Sequence, residues 1–181
     1  MDSRRQTIPY RNYDVEARTV LYNGQVFRSA LEARWACFFS HLNIRYLYEP
    51  TTFKGAARWY KPDFFLPELH NNGVWFEVKP TDPTIDELGL ARRASRSAGL
   101  AFLISNAPFY RNTLHHLTCN YVNYPELMRK DYVLYENKGV FRFFSRNLSK
   151  NLRKKGWYYS SSRLRFAFKM AKNWKFVDVK E

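Results

Sequence analysis

Glycine is scarce: there are seven in 181 residues, and no two lie within five positions of each other. A dinucleotide fingerprint needs three closely spaced glycines, and a phosphate-cradling P-loop needs two followed by Lys-Ser/Thr, so neither can be built. A G-x-S-x-G nucleophile elbow is missing as well. These absences exclude nucleotide-driven motors, Rossmann dehydrogenases and α/β-hydrolases, and no nucleotide cofactor is expected. Two cysteines, Cys37 and Cys119, cannot form a disulfide framework and suit a reducing, intracellular setting. Unbroken apolar runs stop at five residues, as in 100–104, whereas a membrane span needs about 20. No apolar stretch follows the early charges of the N-terminus, so no secretory signal is expected. Acid is short too. Sixteen Asp and Glu face thirty Lys and Arg, for a net charge of +14.

Such an excess favours a polyanionic partner, most often nucleic acid. The charge is uneven. Residues 140–181 hold twelve Lys/Arg and two acids, leaving eighteen and fourteen for the rest of the chain. Aromatic residues reach 18%. Most must fill a core, but rings beside cations also suit stacking on single strands or splayed ends.

Local patterns give an element order. Asn23-Gly24 between two β-forming runs predicts a hairpin over 19–28. Ser29 with Glu32 three residues on reads as a helix start, and Leu31, Trp35, Phe38, Phe39 and Leu42 form one apolar stripe to about Asn43. Strands follow at 44–48, at 58–66 and at 74–79; Pro62 interrupts the second and suggests an edge or a bulge. A turn is expected over 70–73. Asp82 is expected to cap a second helix with Pro83 at its first position, and Gly99 to stop it. Residues 100–105 then read as a buried strand. Three strands can pair as an antiparallel meander, and the second helix can return the chain to a parallel strand by a right-handed crossover. The expected fold class is therefore α/β, a mixed sheet flanked by helices. Farther on, 132–144 reads as a hairpin around Asn137-Lys-Gly139, and Ser160 to Ser162 can cap a last helix carrying Arg163, Arg165, Lys169 and Lys172.

One constellation carries chemistry. Alternation along the third strand puts Glu77 and Lys79 on one face and Phe76 and Val78 on the other. The turn before it folds that strand back on the second, so Asp63 can stand opposite. Two carboxylates close together repel each other, and a divalent cation with a preference for oxygen, Mg²⁺ or Mn²⁺, removes the conflict. Lys79 adds a charge that can hold a phosphate oxygen or act on a metal-bound water. A solvated Glu-x-Lys pair beside a Pro-Asp turn is the plain alternative.

The run Pro62-Asp63, thirteen residues, then Glu77-Val78-Lys79 resembles the PD-(D/E)xK nuclease signature. The resemblance extends through Phe27-Arg28-Ser29-Ala30-Leu31-Glu32, Tyr48-Glu49, Tyr60-x-Pro-Asp-Phe-x-Leu-Pro67 and Glu-Val-Lys-Pro80 to phage-borne and transposon-borne members. Those include Holliday-junction-resolving endonucleases and nuclease subunits of multi-protein transposases. It covers about residues 20–105 and implies a restriction-endonuclease-like α-β-β-β-α-β core. By this division a nuclease core with its hairpin spans 1–110, and a basic, aromatic-rich region packed on it spans 111–181. The resemblance implies that Asp63, Glu77 and the Val78 carbonyl ligate Mg²⁺, with Mn²⁺ able to substitute. It also implies that Lys79 orients or activates water, and that Glu32 adds an acid from the first helix. A capping-box Glu32 reaching back to Ser29 is the competing role. Glu49 is expected to be structural.

The expected activity is thus metal-dependent hydrolysis of DNA phosphodiesters, in the cytoplasm of the cell or of a phage host. A branched-DNA resolvase, a transposase-type nuclease subunit and a non-catalytic nucleic-acid-binding protein are the alternatives. The expected partner is DNA, double-stranded or branched, with RNA and a homodimer left open and no membrane. Lys61, Arg92, Arg96, Arg163, Arg165, Lys169 and Lys172 are the candidate phosphate contacts, Arg93 beside them; for the arginines of the second helix a solvated face is the alternative. Cys37 and His41, with His115, His116 and Cys119, could in principle hold zinc. However, Cys37 and His41 are expected opposite the apolar stripe, and 78 residues separate Cys37 from His115.

Overall fold

A computed structural model describes residues 18–54, 59–69, 72–81, 83–105, 118–122, 131–145, 149–159 and 161–179. The first hairpin forms as expected: β1 (Val20–Tyr22) and β2 (Gln25–Phe27) are joined by Asn23 and Gly24, both at positive φ. Helix α1 (Ala30–His41) follows, with Ser29 Oγ accepting the Glu32 N–H. The whole apolar stripe is buried, and Trp35 meets Phe76 edge-on at 4.7 Å.

The main sheet has seven strands in the order β11-β10-β9-β8-β7-β6-β3. They are β3 (Leu47–Tyr48), β6 (Phe64–Leu66), β7 (Val74–Val78), β8 (Phe102–Ser105), β9 (Thr118–Val122), β10 (Asp131–Asn137) and β11 (Val140–Ser145). β3, β6 and β7 pair antiparallel, and α2 (Ile85–Ala98) carries the chain across to β8, which lies parallel to β7. The protein is therefore α/β with a mixed sheet. β9 to β11 prolong the same sheet beyond β8, all antiparallel. The β10–β11 turn uses Lys138 and Gly139 at positive φ, which matches the right-handed twist of paired strands.

The expectations need correction in three places: the early strands, the start of α2 and Cys37. The second strand is not continuous: β5 (Trp59–Tyr60) pairs with β4 (Phe53–Lys54) in a separate two-stranded sheet, and Pro62 separates it from β6. Nor is β6 an edge, because the short β3 covers its outer side. The strand expected from Ile44 begins only at Leu47 and ends at Tyr48, before Glu49 at φ 44. Second, the N-cap of α2 is Thr84. Its side chain accepts the Glu87 N–H while Glu87 accepts the Thr84 N–H, a reciprocal box that leaves Pro83 outside the helix. Asp82, like residues 70 and 71 of the expected 70–73 turn, lies outside the described residues; Gly99 ends α2 at φ 66 as expected. Third, Cys37 does not face solvent. It is fully buried, because a second layer covers that face of α1.

That layer is α4 (Ser162–Asn173), capped by Ser161 and set after the short α3 (Ser149–Lys154). Leu164, Ala167, Phe168 and Ala171 of α4 join the same core as Ala33, Ala36 and Cys37. Arg34 Nη1 donates to the Ala171 and Lys172 carbonyls at 2.7 and 2.6 Å, which satisfies acceptors left open at the end of α4. The chain then adds β12 (Val177–Asp178) beside β1. A smaller core between the other sheet face and α2 contains Trp75, Phe102, Ile104, Leu88 and Ala91. Among the described residues no helix is long and apolar enough to cross a membrane.

Candidate active site

Pro62 breaks the chain just before β6, and the β6–β7 register of Phe64 with Phe76 continues to Asp63 opposite Glu77. Asp63 Oδ2 accepts the Val78 N–H at 2.7 Å, and its carbonyl accepts the Glu49 N–H at 2.8 Å. The aspartate is thus fixed at the point where β3, β6 and β7 converge. Gly73, at φ 86, lies directly under the Phe65 ring, so the hairpin that sets this register closes tightly only without a Cβ there.

Glu32, Asp63 and Glu77 expose 8, 4 and 5% of their surface, so their charges must be met within the fold. Glu77 Oε1 pairs with Lys79 Nζ at 2.8 Å, and the same ammonium lies 3.3 Å from Glu87 Oε1. Glu77 Oε2 is buried and makes no well-formed hydrogen bond, although the Tyr60 hydroxyl acts on the same carboxylate. Asp63 Oδ1 pairs with Arg28 Nη2 at 3.0 Å. Arg28 also contacts Glu49, which holds Lys61 Nζ at 2.5 Å. Glu32 accepts the Ser29 hydroxyl at 2.9 Å and the Tyr48 hydroxyl at 2.5 Å, and that phenol oxygen accepts the Arg28 N–H.

Burial pushes the Asp63 carboxyl well above its ordinary range, and the charges of Glu77 and Glu32 add to it; the Val78 N–H and Arg28 oppose the shift. Burial also raises Glu77, with Lys79 and Tyr60 pulling the other way. The Tyr60 phenol is raised by burial and by the Glu77 and Asp63 charges. Burial alone would lower Lys79, but Glu77 and Glu87 outweigh it and hold it as an ammonium.

Glu32, Asp63, Glu77, Lys79, Arg28 and Tyr60 line one open cavity of about 510 Å³. Among the described residues no three acids, histidines or cysteines are already gathered closely enough to hold an ion. The donor chemistry nevertheless fits a hard cation: carboxylate oxygens, one of them buried and in no well-formed hydrogen bond, repelling each other at one point.

Of the expected phosphate contacts, only Lys61 lines this cavity. Arg93 and Arg96 are exposed on α2, and Arg92 is half-buried there. Arg163, Arg165 and Lys169 are exposed on α4 and Lys172 is half-buried, away from the acids. Arg163 lies over the Phe141 ring, 5.2 Å from its centroid. Of the zinc set, His115 and His116 lie outside the described residues, and Cys37 is buried. Four residues of the site had no role in the sequence reading: Arg28, Tyr48, Tyr60 and Glu87. The Thr84-x-x-Glu87 spacing could have revealed the last. Arg28, Tyr48 and Tyr60 stand inside the quoted motifs, but their contacts depend on long-range folding.

Neither the sequence nor the fold matches a family model, a curated protein or a solved structure.

Proposed function

We propose that the chain is a metal-dependent endonuclease that hydrolyses DNA phosphodiester bonds on a restriction-endonuclease-like core. The observation that carries this reading is the buried Glu77 carboxylate, with Oε2 in no well-formed hydrogen bond, in a cavity shared with Asp63, Glu32 and Lys79. Asp63, Glu77, Glu32 and the Val78 carbonyl would hold Mg²⁺. When bound, the ion supplies a Lewis acid at the phosphate. The rest is done by the chain's own groups. Lys79, clamped between Glu77 and Glu87, donates a hydrogen bond to a phosphate oxygen or to the attacking water. Lys61, at the cavity edge, offers a cation to a flanking phosphate. Water attacks phosphorus, leaving 5′-phosphate and 3′-hydroxyl ends.

The test is nicking or linearisation of supercoiled plasmid with Mg²⁺, against EDTA. Asp63→Asn, Glu77→Gln and Lys79→Ala should each lower the rate at least about a thousandfold, as parts of one unit, and keep DNA affinity. Full activity in Glu77→Gln removes the reading at this site. A second reading, DNA binding without catalysis, is favoured by the ion pairs Arg28–Asp63 and Lys79–Glu77, which already offset much of the buried charge. DNA bound with plasmid intact at every metal tried would select it.

A further inference from the structure

The β4–β5 ribbon stands at the approach to the cavity, and its two faces differ in character. On the inner face, Phe53 packs edge-on against Trp75 at 5.0 Å and Tyr60 packs on Phe102 at 5.6 Å. This anchors the ribbon to the sheet. Pleating sends the other cross-strand pair outward: Lys54 is directly opposite Trp59, with its ammonium 6.0 Å from the indole centroid. Trp59 is 69% exposed. A single exposed apolar residue is ordinary on a protein surface. What sets this one apart is its setting: a flat indole on an anchored ribbon, a cation at its side, and the next two residues, Tyr60 and Lys61, lining the cavity.

We propose that Trp59 and Lys54 form a stacking site for an unpaired DNA base, so that the substrate is DNA with unstacked nucleotides beside the cut. The proposal rests on the DNA-cleavage reading and names its substrate class. An indole stacks on the face of a base, with a cation able to hold the adjoining phosphate. Inside a duplex both faces of each base are covered by neighbours. Only ends, bulges and flaps offer a free one. Asp63 is four steps along the chain from Trp59, at most about 14 Å when extended. At about 3.4 Å per nucleotide along a strand, the stacked base lies within about four nucleotides of the cleaved phosphate.

The experiment measures binding in EDTA, so that no cleavage intervenes. The probes are a short DNA duplex carrying a bulge with one unpaired 2-aminopurine and the same duplex fully paired. Wild type should quench the bulged 2-aminopurine and prefer that probe. Trp59→Ala should lose quenching and about fivefold to 150-fold in affinity for the bulge, with less than about a twofold change on the paired duplex. Trp59→Phe should recover most of the loss. Equal affinities of wild type and Trp59→Ala for the bulge, equal losses on both probes, or no binding by wild type each overturn the proposal. Trp59-dependent binding with no Mg²⁺-dependent cleavage of the bulged probe instead overturns the nuclease reading and leaves the stacking site standing.

Discussion

Arg28 and Asp63 form a 3.0 Å ion pair in which the arginine side chain is 59% exposed and the aspartate only 5%. The acid is fixed by the sheet, while its cation is tethered in solvent. A second cation at the same carboxylate has Arg28, the more exposed partner, as its competitor.

Arg28→Gln should therefore lower the melting temperature in EDTA, since it leaves a buried carboxylate short of a counter-charge. Added Mg²⁺ should then raise the melting temperature of the variant more than that of wild type. Thermal melts across a Mg²⁺ titration check this. A variant that Mg²⁺ cannot restore would make Arg28 the permanent partner of Asp63.

Glu32 bonds to Ser29 and Tyr48 through its two oxygens, so the helix-start role and the cavity role are carried by one carboxylate. Glu32→Gln keeps one acceptor and loses the charge. Its melting temperature should fall by no more than about 4 °C, the shift for about 1 kcal/mol in a chain of this size, while cleavage falls at least about tenfold. Unchanged activity would assign Glu32 to structure alone.

The raised Asp63 and Glu77 carboxyls make the metal-free protein sensitive to pH in an unusual direction. Both bind protons more tightly when folded. The stability they contribute is thus complete below about pH 4, the unfolded range, and is lost as pH rises through their folded values. Arg28, Lys79, Tyr60 and Glu32 all face this pair and are present on both sides of the comparison. Melts in EDTA from acid to neutral pH should show Glu77→Gln gaining on wild type as pH rises, by about 2–4 °C for each kcal/mol relieved.

Much of this was legible locally. Asn23-Gly24, the Ser29 cap, the Pro62 break and the Gly99 stop each act within a few residues, and alternation along β7 placed Glu77 and Lys79 together. The missed features depend on distant partners. Cys37 is buried because α4, with Tyr22 of β1, covers a second face of α1. β4 and β5 form a sheet of their own because Phe53 and Tyr60 pack on Phe102, far along the chain. Arg28 finds Asp63 across 35 residues, a meeting no local period encodes.

The C-terminal charge now has a structural setting. Deleting 146–181 would remove α4 from the core and β12 from β1, so that truncation should unfold the chain rather than only weaken DNA binding. Replacing Arg163, Arg165, Lys169 and Lys172 together with Gln should leave the melting temperature within about 4 °C, because their heads lie largely outside the core. If all four touch phosphates, the slope of log affinity against log salt flattens by about 3 to 4. An unchanged slope moves the DNA footprint to Lys61 and the α2 arginines.

The two-sided burial of α1 also bears on the order in which the chain is made. Synthesis runs from the N-terminus, and early segments fold as they emerge. The helix that carries Glu32 is complete long before α4 leaves the ribosome. Until then Ala33, Ala36 and Cys37 lack the cover that α4 gives, and Arg34 lacks the Ala171 and Lys172 carbonyls. The acids of the cavity are made before the layer that steadies their helix. A nascent chain therefore holds the parts of the site before it holds their support.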